Sequence, residues 1–324
     1  MKKPLYITSH GKLSRKGNTL YFKAMDDDEK ALPIHAVSEI NCHGKVTLTS
    51  GASTILMKEG IPVHFFNKYA YYEGSLYPKL NLNSGLVVVK QSEHYLDETK
   101  REFIAKEFVK GIQHNTSTTL KYYLKKGKDI DFYVESIDNE TIMGNVSQIM
   151  SSEGRIWNNY YQSFNYILKN FEFDRREIRP PTTELNALIS FGNSLLYSTC
   201  LSEIYHTYLH PSVSFLHEPS ERRFSLALDL ADIFKPIIVS RIIFKLINTN
   251  AITKKHFVKD VGVLLNDKGR KIFLADYQKK LETTIQHQTL NKKVSYKYLI
   301  RLECYKLIKH VLGDKKYESF RMWW

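Results

Sequence analysis

The sequence predicts an α+β protein, with a small N-terminal mostly-β domain followed by a larger all-α domain. Three observations carry this. Short β-branched and aromatic runs separated by turn residues fill roughly the first 80 positions. Asn81, Asn83, Ser84 and Gly85 then form a turn cluster, after which the apolar period changes from two to helical. The 324-residue length favours two domains over one core, and 43% apolar with 25% charged residues is a soluble, globular balance.

In the first domain the expected strands are Leu5–Thr8, Thr19–Phe22, Ala36–Ile40, Pro62–Phe66 and Tyr69–Tyr72, divided by turns at Lys16-Gly17-Asn18, Asp26-Asp27-Asp28 and Cys42-His43-Gly44. One helix is expected from Ser50, carrying Ile55, Leu56 and Met57 and closed by Gly60. Residues 1–85 are assigned to this domain, 86–92 to a linker in which Leu86–Val89 continues as a short strand, and 93–324 to the helical domain.

In the helical domain, Phe103, Ile104, Phe108 and Ile112 share one face, followed by Leu120, Tyr123 and Leu124 before the basic turn Lys125–Lys128. A long helical region is expected over Ile142–Phe171, stopped before Pro180-Pro181. A strongly apolar helix follows over Glu184–His206, and further helices are expected from Ser225, Pro236, Lys254 and Ser295.

Charge is uneven. The chain carries +13 overall, and from Lys254 to Arg321 there are 17 basic and 7 acidic residues, so most of the excess lies in this stretch. Such a field suits a polyanion, either nucleic acid or an anionic membrane surface, although solvated basic surfaces are also common. Cys42, Cys200 and Cys304 are far apart and form no C-x-x-C pair, which argues against a zinc module and fits a reducing cytoplasm. The start of the chain holds no signal-peptide run. The most apolar segment, Ile237–Ile247, is broken by Ser240, Arg241 and Lys245, so no membrane span is expected.

The most informative stretch is Phe215–Pro236, which sets His217 ahead of Asp229 and Asp232. Leu226, Leu230 and Ile233 fall at helical spacing, which places the two acids on one flank of that helix. Two readings stay open: convergence of the acids and the imidazole on one point, or acids that solvate an amphipathic helix beside an ordinary loop histidine. Glu153 is the third candidate, either a first-turn acid after Ser151 and Ser152 or a further ligand. A Glu and an Asp from two helices with a loop His would form an oxygen-rich site suited to Mg²⁺ or Mn²⁺ and to phosphate chemistry. His206 and His210 lack an H-E-x-x-H pattern and are read as structural. No P-loop, dinucleotide fingerprint or serine-hydrolase elbow occurs.

Several motifs occur together: Glu153-Gly154 after two serines; Arg179-Pro180-Pro181 followed by Asn186–Gly192; and Leu216-His217-Glu218-Pro219 leading to Ser225–Pro236. With Gly262–Leu265, Lys271–Leu274 and Tyr317–Phe320, they make the chain resemble the CRISPR-associated protein one family over essentially its whole length. The resemblance implies a divalent-metal-dependent DNA endonuclease and integrase subunit that inserts new spacers into a CRISPR array. It assigns Glu153, His217 and Asp232 as ligands of Mg²⁺ or Mn²⁺, with Asp229 a nearby catalytic acid that supports the site or a second metal. It further implies a homodimer through the N-terminal domain, joined by CRISPR-associated protein two, acting on prespacer and repeat or leader DNA. The chain departs from the family in having Asp232 where Glu is frequent, Arg155, Ile156 and Trp157 where small residues follow Glu-Gly, and Asn193 where an aromatic is common. Lys235, Arg222 and Arg223 are the candidate phosphate contacts, with Arg175, Arg176 and Arg179 as the alternative DNA path. The competing reading is a non-catalytic basic DNA-binding scaffold.

Overall fold

The computed structural model describes residues 2–25, 27–79, 84–178, 180–220 and 224–323. They divide into two compact units, residues 1–81 and 82–324. The first holds eight strands among its described residues: β1 (Lys3–Ile7), β2 (Gly11–Lys16), β3 (Thr19–Ala24), β4 (Glu29–Leu32), β5 (Val37–Cys42), β6 (Val46–Leu48), β7 (Val63–Phe66) and β8 (Tyr72–Leu76). They form two four-stranded sheets, ordered β1-β5-β7-β8 and β4-β3-β2-β6. Leu13, Leu20, Ile40, Leu56 and Val63 are fully buried in their shared core. The helix α1 (Ser50–Lys58) is capped by the Thr49 side chain, which accepts the Ala52 N–H, and is followed by Gly60 at φ +70°, as the sequence predicts.

The strands that the sequence reading missed are β2, mostly polar with only Leu13 buried, and the short β4 and β6, which offer only Leu32, Val46 and Leu48 to the core and too few residues for a clear alternation. The strand expected over Tyr69–Tyr72 starts at Tyr72 instead, because the Asn67 side chain collects the Tyr69 and Tyr71 N–H groups into a turn in which Ala70 has φ +61°.

The second unit is helical. Its helices are α2 (Gly85–Leu96), α3 (Glu98–Leu124), α4 (Asp131–Asp138), α5 (Val146–Gln162), α6 (Phe164–Ile167), α7 (Glu184–Tyr205), α8 (Ser225–Phe234), α9 (Arg241–Asn248), α10 (Asp267–Glu282) and α11 (Tyr296–Val311). A π-helical turn, Pro236–Ser240, joins α8 to α9. The unit departs from the all-α expectation in two antiparallel hairpins, β9 (Phe257–Lys259) with β10 (Val263–Leu265) and β11 (Thr284–Gln286) with β12 (Lys293–Ser295). The helix expected from Lys254 is only a three-residue 3₁₀ turn that feeds β9.

Residues 86–92, expected as linker and strand, lie inside α2. The β-branched run Val87-Val88-Val89 is overruled by Ser84, whose hydroxyl accepts the Val87 N–H, and by burial of Val87, Gln91 and His94 along one helical face. The long helical region begins only at Val146, behind an Asn145–Gln148 capping box, and its second part is interrupted at Ser163. Gly192 in α7 allows close approach to the π turn, since a Cβ there would stand 2.5 Å from Val239 Cγ1. No helix among the described residues is long and apolar enough to cross a membrane.

Candidate metal centre

Three elements bring the candidate residues together: α5 with Glu153, α8 with Asp229 and Asp232, and the loop before α8 with His217. The loop is clasped from several sides. Gln91 of α2 donates to the carbonyls of His210 (3.0 Å) and Val213 (2.6 Å) and accepts the His210 N–H. Arg101 of α3 donates Nε–H to the Phe215 carbonyl at 2.9 Å and pairs with Glu218 at 2.6 Å, which Tyr95 also meets at 2.8 Å. Ser225 and Leu226 tie the start of α8 to the carbonyls of Ser212 and Pro211.

Asp229 completes the clasp. Its carboxylate is fully buried and accepts the backbone N–H groups of Phe215 (2.8 Å), Leu216 (3.1 Å) and His217 (3.0 Å). The fourth donor is His217 Nδ1–H, 2.8 Å from Oδ1. With four donors already on its oxygens, Asp229 is a positioning residue in this arrangement rather than a free acid. Because a carboxylate only accepts, a neutral His217 keeps its proton on Nδ1 and turns the Nε2 lone pair outward. That nitrogen lies 3.9 Å from Asp232 Oδ2.

Asp232 is 3% exposed. Its Oδ1 meets no donor in hydrogen-bond geometry and is approached instead by the Lys235 ammonium as an ion pair. On α5, Glu153 is half-buried, two turns beyond the helix start, so it is not a first-turn acid. Trp157 Nε1–H, one turn on, donates to Glu153 Oε1 at 2.6 Å, and the Lys235 ammonium lies 5.2 Å from the Trp157 ring centre. Of the departing residues after Glu-Gly, Trp157 thus walls the site, Ile156 is core, and Arg155 turns away to pair with Glu140 at 2.7 Å.

Electrostatics tie these groups together. Burial and then the charge of Asp232 push the Glu153 carboxyl up to about 7, against the cations Lys235 and His217. Burial alone would lower His217, but the hydrogen bond and charge of Asp229, with the charges of Asp232 and Glu153, raise it to about 9. Burial would lower Lys235, but Asp232, Tyr161 and Glu153 together raise it.

Among the described residues, no three His, Cys, Asp or Glu side chains are gathered closely enough to hold a metal as they stand. The donor set nevertheless fits a hard divalent ion. It offers two carboxylates, an imidazole fixed in the ligating tautomer by a third carboxylate, Asp229, and a buried Asp232 oxygen already met by a cation.

The family model described as CRISPR associated protein Cas1 matches residues 5–279. This chain belongs to the Cas1 family. It is 48% identical over its whole length to the CRISPR-associated protein Cas1 1 of Methanobrevibacter ruminantium, covering 99% of that protein. To the CRISPR-associated endonuclease Cas1 of Fusobacterium nucleatum it is 44% identical, covering all of this chain and 98% of the other. Among solved structures, a Cas1 protein from Thermotoga maritima superposes with a TM-score of 0.88 at 38% identity, over 98% of this chain and all of that one.

Of the remaining candidates, Arg222, Arg223 and Arg179 lie outside the described residues. Arg176 is spent on structure, donating to Asn186 Oδ1 at 3.0 Å and Ser190 Oγ at 2.9 Å, and Arg175 pairs with Glu177. The sequence reading missed Trp157, Gln91 and Arg101 as positioning residues. The i, i+4 spacing of Glu153 and Trp157 was a usable signal, whereas nothing local linked Gln91 or Arg101 to a loop more than 100 positions away.

Proposed function

We propose that this chain is a divalent-metal-dependent DNA endonuclease and strand transferase that inserts new spacers into a CRISPR array. The observation that carries the reading is the Asp229–His217 pair, which aims His217 Nε2 at Asp232 within electrostatic reach of Glu153. Glu153, His217 and Asp232 would hold Mg²⁺ or Mn²⁺, which when bound neutralises charge developing on the phosphate and activates the attacking oxygen. In the reaction, the oxygen of water or of a DNA 3′-hydroxyl attacks phosphorus in line. The new P–O bond replaces the P–O bond to the departing strand, the attacking hydroxyl loses its proton and the departing oxygen takes one up.

The chain's own groups supply geometry. Asp229 fixes the His217 tautomer, Trp157 holds Glu153, and the loop clasp keeps both in register. Lys235 is the candidate phosphate contact at the site. The family resemblance extends the reading to a cytoplasmic homodimer formed through the N-terminal unit and joined to CRISPR-associated protein two, with prespacer and repeat or leader DNA as substrates. The three free, buried cysteines suit a reducing compartment.

Cleavage and strand transfer of DNA in Mn²⁺ by wild type and by Glu153→Gln, His217→Ala and Asp232→Asn test the assignment. Each substitution is expected to remove both activities and leave DNA affinity near wild type. Persistent activity in all three variants overturns the site, and a wild type that binds DNA but neither cleaves nor joins it favours the scaffold reading.

A further inference from the structure

In the metal-free site Lys235 is turned inward onto a carboxylate rather than out toward a phosphate. Its side chain is only 20% exposed, its ammonium rests on Asp232 Oδ1, and the Trp157 ring covers it. That carboxylate oxygen is buried and has no hydrogen-bond donor of its own, so the ammonium is what offsets its charge. Backbone geometry holds the lysine there. Pro236 follows it directly and, lacking an N–H, supplies no donor to the Asp232 carbonyl one turn back, and the chain passes into a π turn in which Ser240 N–H meets the Lys235 carbonyl at 3.0 Å. The i, i+3 spacing puts the stem on the same flank of α8 as Asp232.

We propose that Lys235 is the internal counter-ion of the metal-free site, a cation that neutralises Asp232 until a divalent ion displaces it. This rests on the reading of Asp232 as a metal ligand. An ammonium on Asp232 Oδ1 and a metal ion drawn to the same carboxylate beside His217 Nε2 repel each other, so their occupancies compete. Lysine suits the task better than arginine, because a compact charge on a flexible stem is released by rotation of a few side-chain torsions, whereas a guanidinium would grip the carboxylate with two parallel bonds. Once released, the same ammonium becomes available to a phosphate oxygen, so metal arrival and substrate charge are coupled through one side chain.

The competition is measured without turnover, by calorimetric titration of Mn²⁺ into DNA-free protein. Lys235→Met is expected to bind Mn²⁺ on the order of tenfold more tightly than wild type, since a competing charge has been removed beside the ligand. Lys235→Gln, which keeps a polar group on the stem, is the second variant and should shift the same way. Lys235→Arg, still cationic, should bind no more tightly than wild type. If Met and Gln variants bind Mn²⁺ with wild-type or weaker affinity, the counter-ion role is overturned even though the metal site stands. Asp232→Asn separates the two ideas: should it bind Mn²⁺ as wild type does, the metal-site reading itself fails and this inference falls with it.

Discussion

The site around His217 and the basic stretch 254–321 are both charged regions of the second unit, but they are built on opposite principles. At the site, a handful of charges are buried or half-buried and each is held by a named partner, so that Asp229 alone is met by four donors. In the basic stretch the charge divides into two populations. Arg301 and Lys297 are committed to Glu203, Lys306 to Glu303, and Lys280 lies against the Tyr296 ring, where burial and then Arg241 lower its pKa to about 8. Lys254, Lys255, Lys259, Lys292 and Lys293 are instead exposed. The difference teaches that directional chemistry needs geometry, in which one misplaced group disables the rest, while a field for a polyanion needs only summed exposed charge.

The comparison breaks most visibly at Asp229. Asp229→Asn replaces an acceptor-only group by one that also donates, so one of the loop N–H groups or His217 Nδ1–H loses its partner. Cleavage is expected to fall by roughly 10–100-fold, the range for a group that orients a ligand, with an added loss of thermal stability. Unchanged cleavage kinetics would place His217 outside the machinery.

The basic stretch should respond by degrees. Neutralising Lys254, Lys255, Lys292 and Lys293 together is expected to weaken duplex binding at every sequence alike and to flatten the log-log salt slope by up to about 3.6, if all four meet phosphates. Cleavage at saturating DNA should survive. Anisotropy titrations at several salt concentrations measure it, and an unaltered slope sends the DNA path elsewhere.

Protons separate the two regions more finely. In metal-free protein the raised pKa of His217, about 9, means its stabilising contribution is complete below its ordinary value of 6.5 and is lost as pH rises through 9. Glu153, raised to about 7, acts in the same direction between 4.5 and 7. A metal needs both groups deprotonated, so Mn²⁺ affinity should fall with falling pH. Binding should release about one proton at pH 8 and more at pH 6. Calorimetry in buffers of different ionisation enthalpy counts those protons, and a count of zero at pH 8 excludes imidazole ligation.

The smallest effect is expected at the rim of the clasp. Tyr95→Phe removes one hydrogen bond to Glu218, which keeps its Arg101 partner, and should change cleavage by no more than about fivefold, in line with a net contribution near 1 kcal/mol for one hydrogen bond. A much larger loss would mean that the loop depends on Tyr95 more than on Arg101.

Much of this was legible in the sequence, for reasons specific to particular residues. The spacing of Leu226, Leu230 and Ile233 fixed the face of α8 that carries Asp229 and Asp232, and Gly60 marked the end of α1. What escaped was non-local. Leu86–Val89 has strand-like chemistry, and only packing of Val87, Gln91 and His94 makes it helix. β2 is mostly polar and β4 only four residues long, so neither carries enough alternating apolar residues for periodicity to report it. Asp229 read as one of two similar acids, since its burial against three loop N–H groups depends on how the chain from Phe215 to His217 turns back over α8. Lys235 read as a candidate phosphate contact, and although its i, i+3 spacing from Asp232 was visible, its burial under the Trp157 ring was not.

The most direct test of the central claim is the anomalous scattering of Mn²⁺ in crystals of the wild-type protein. The account predicts density for an ion ligated by a Glu153 oxygen, His217 Nε2 and an Asp232 oxygen at bond lengths of about 2.0–2.3 Å, with the Lys235 ammonium moved off Asp232. Mn²⁺ ordered elsewhere on the chain, or absent from this site at saturating concentration while DNA cleavage proceeds, would contradict it.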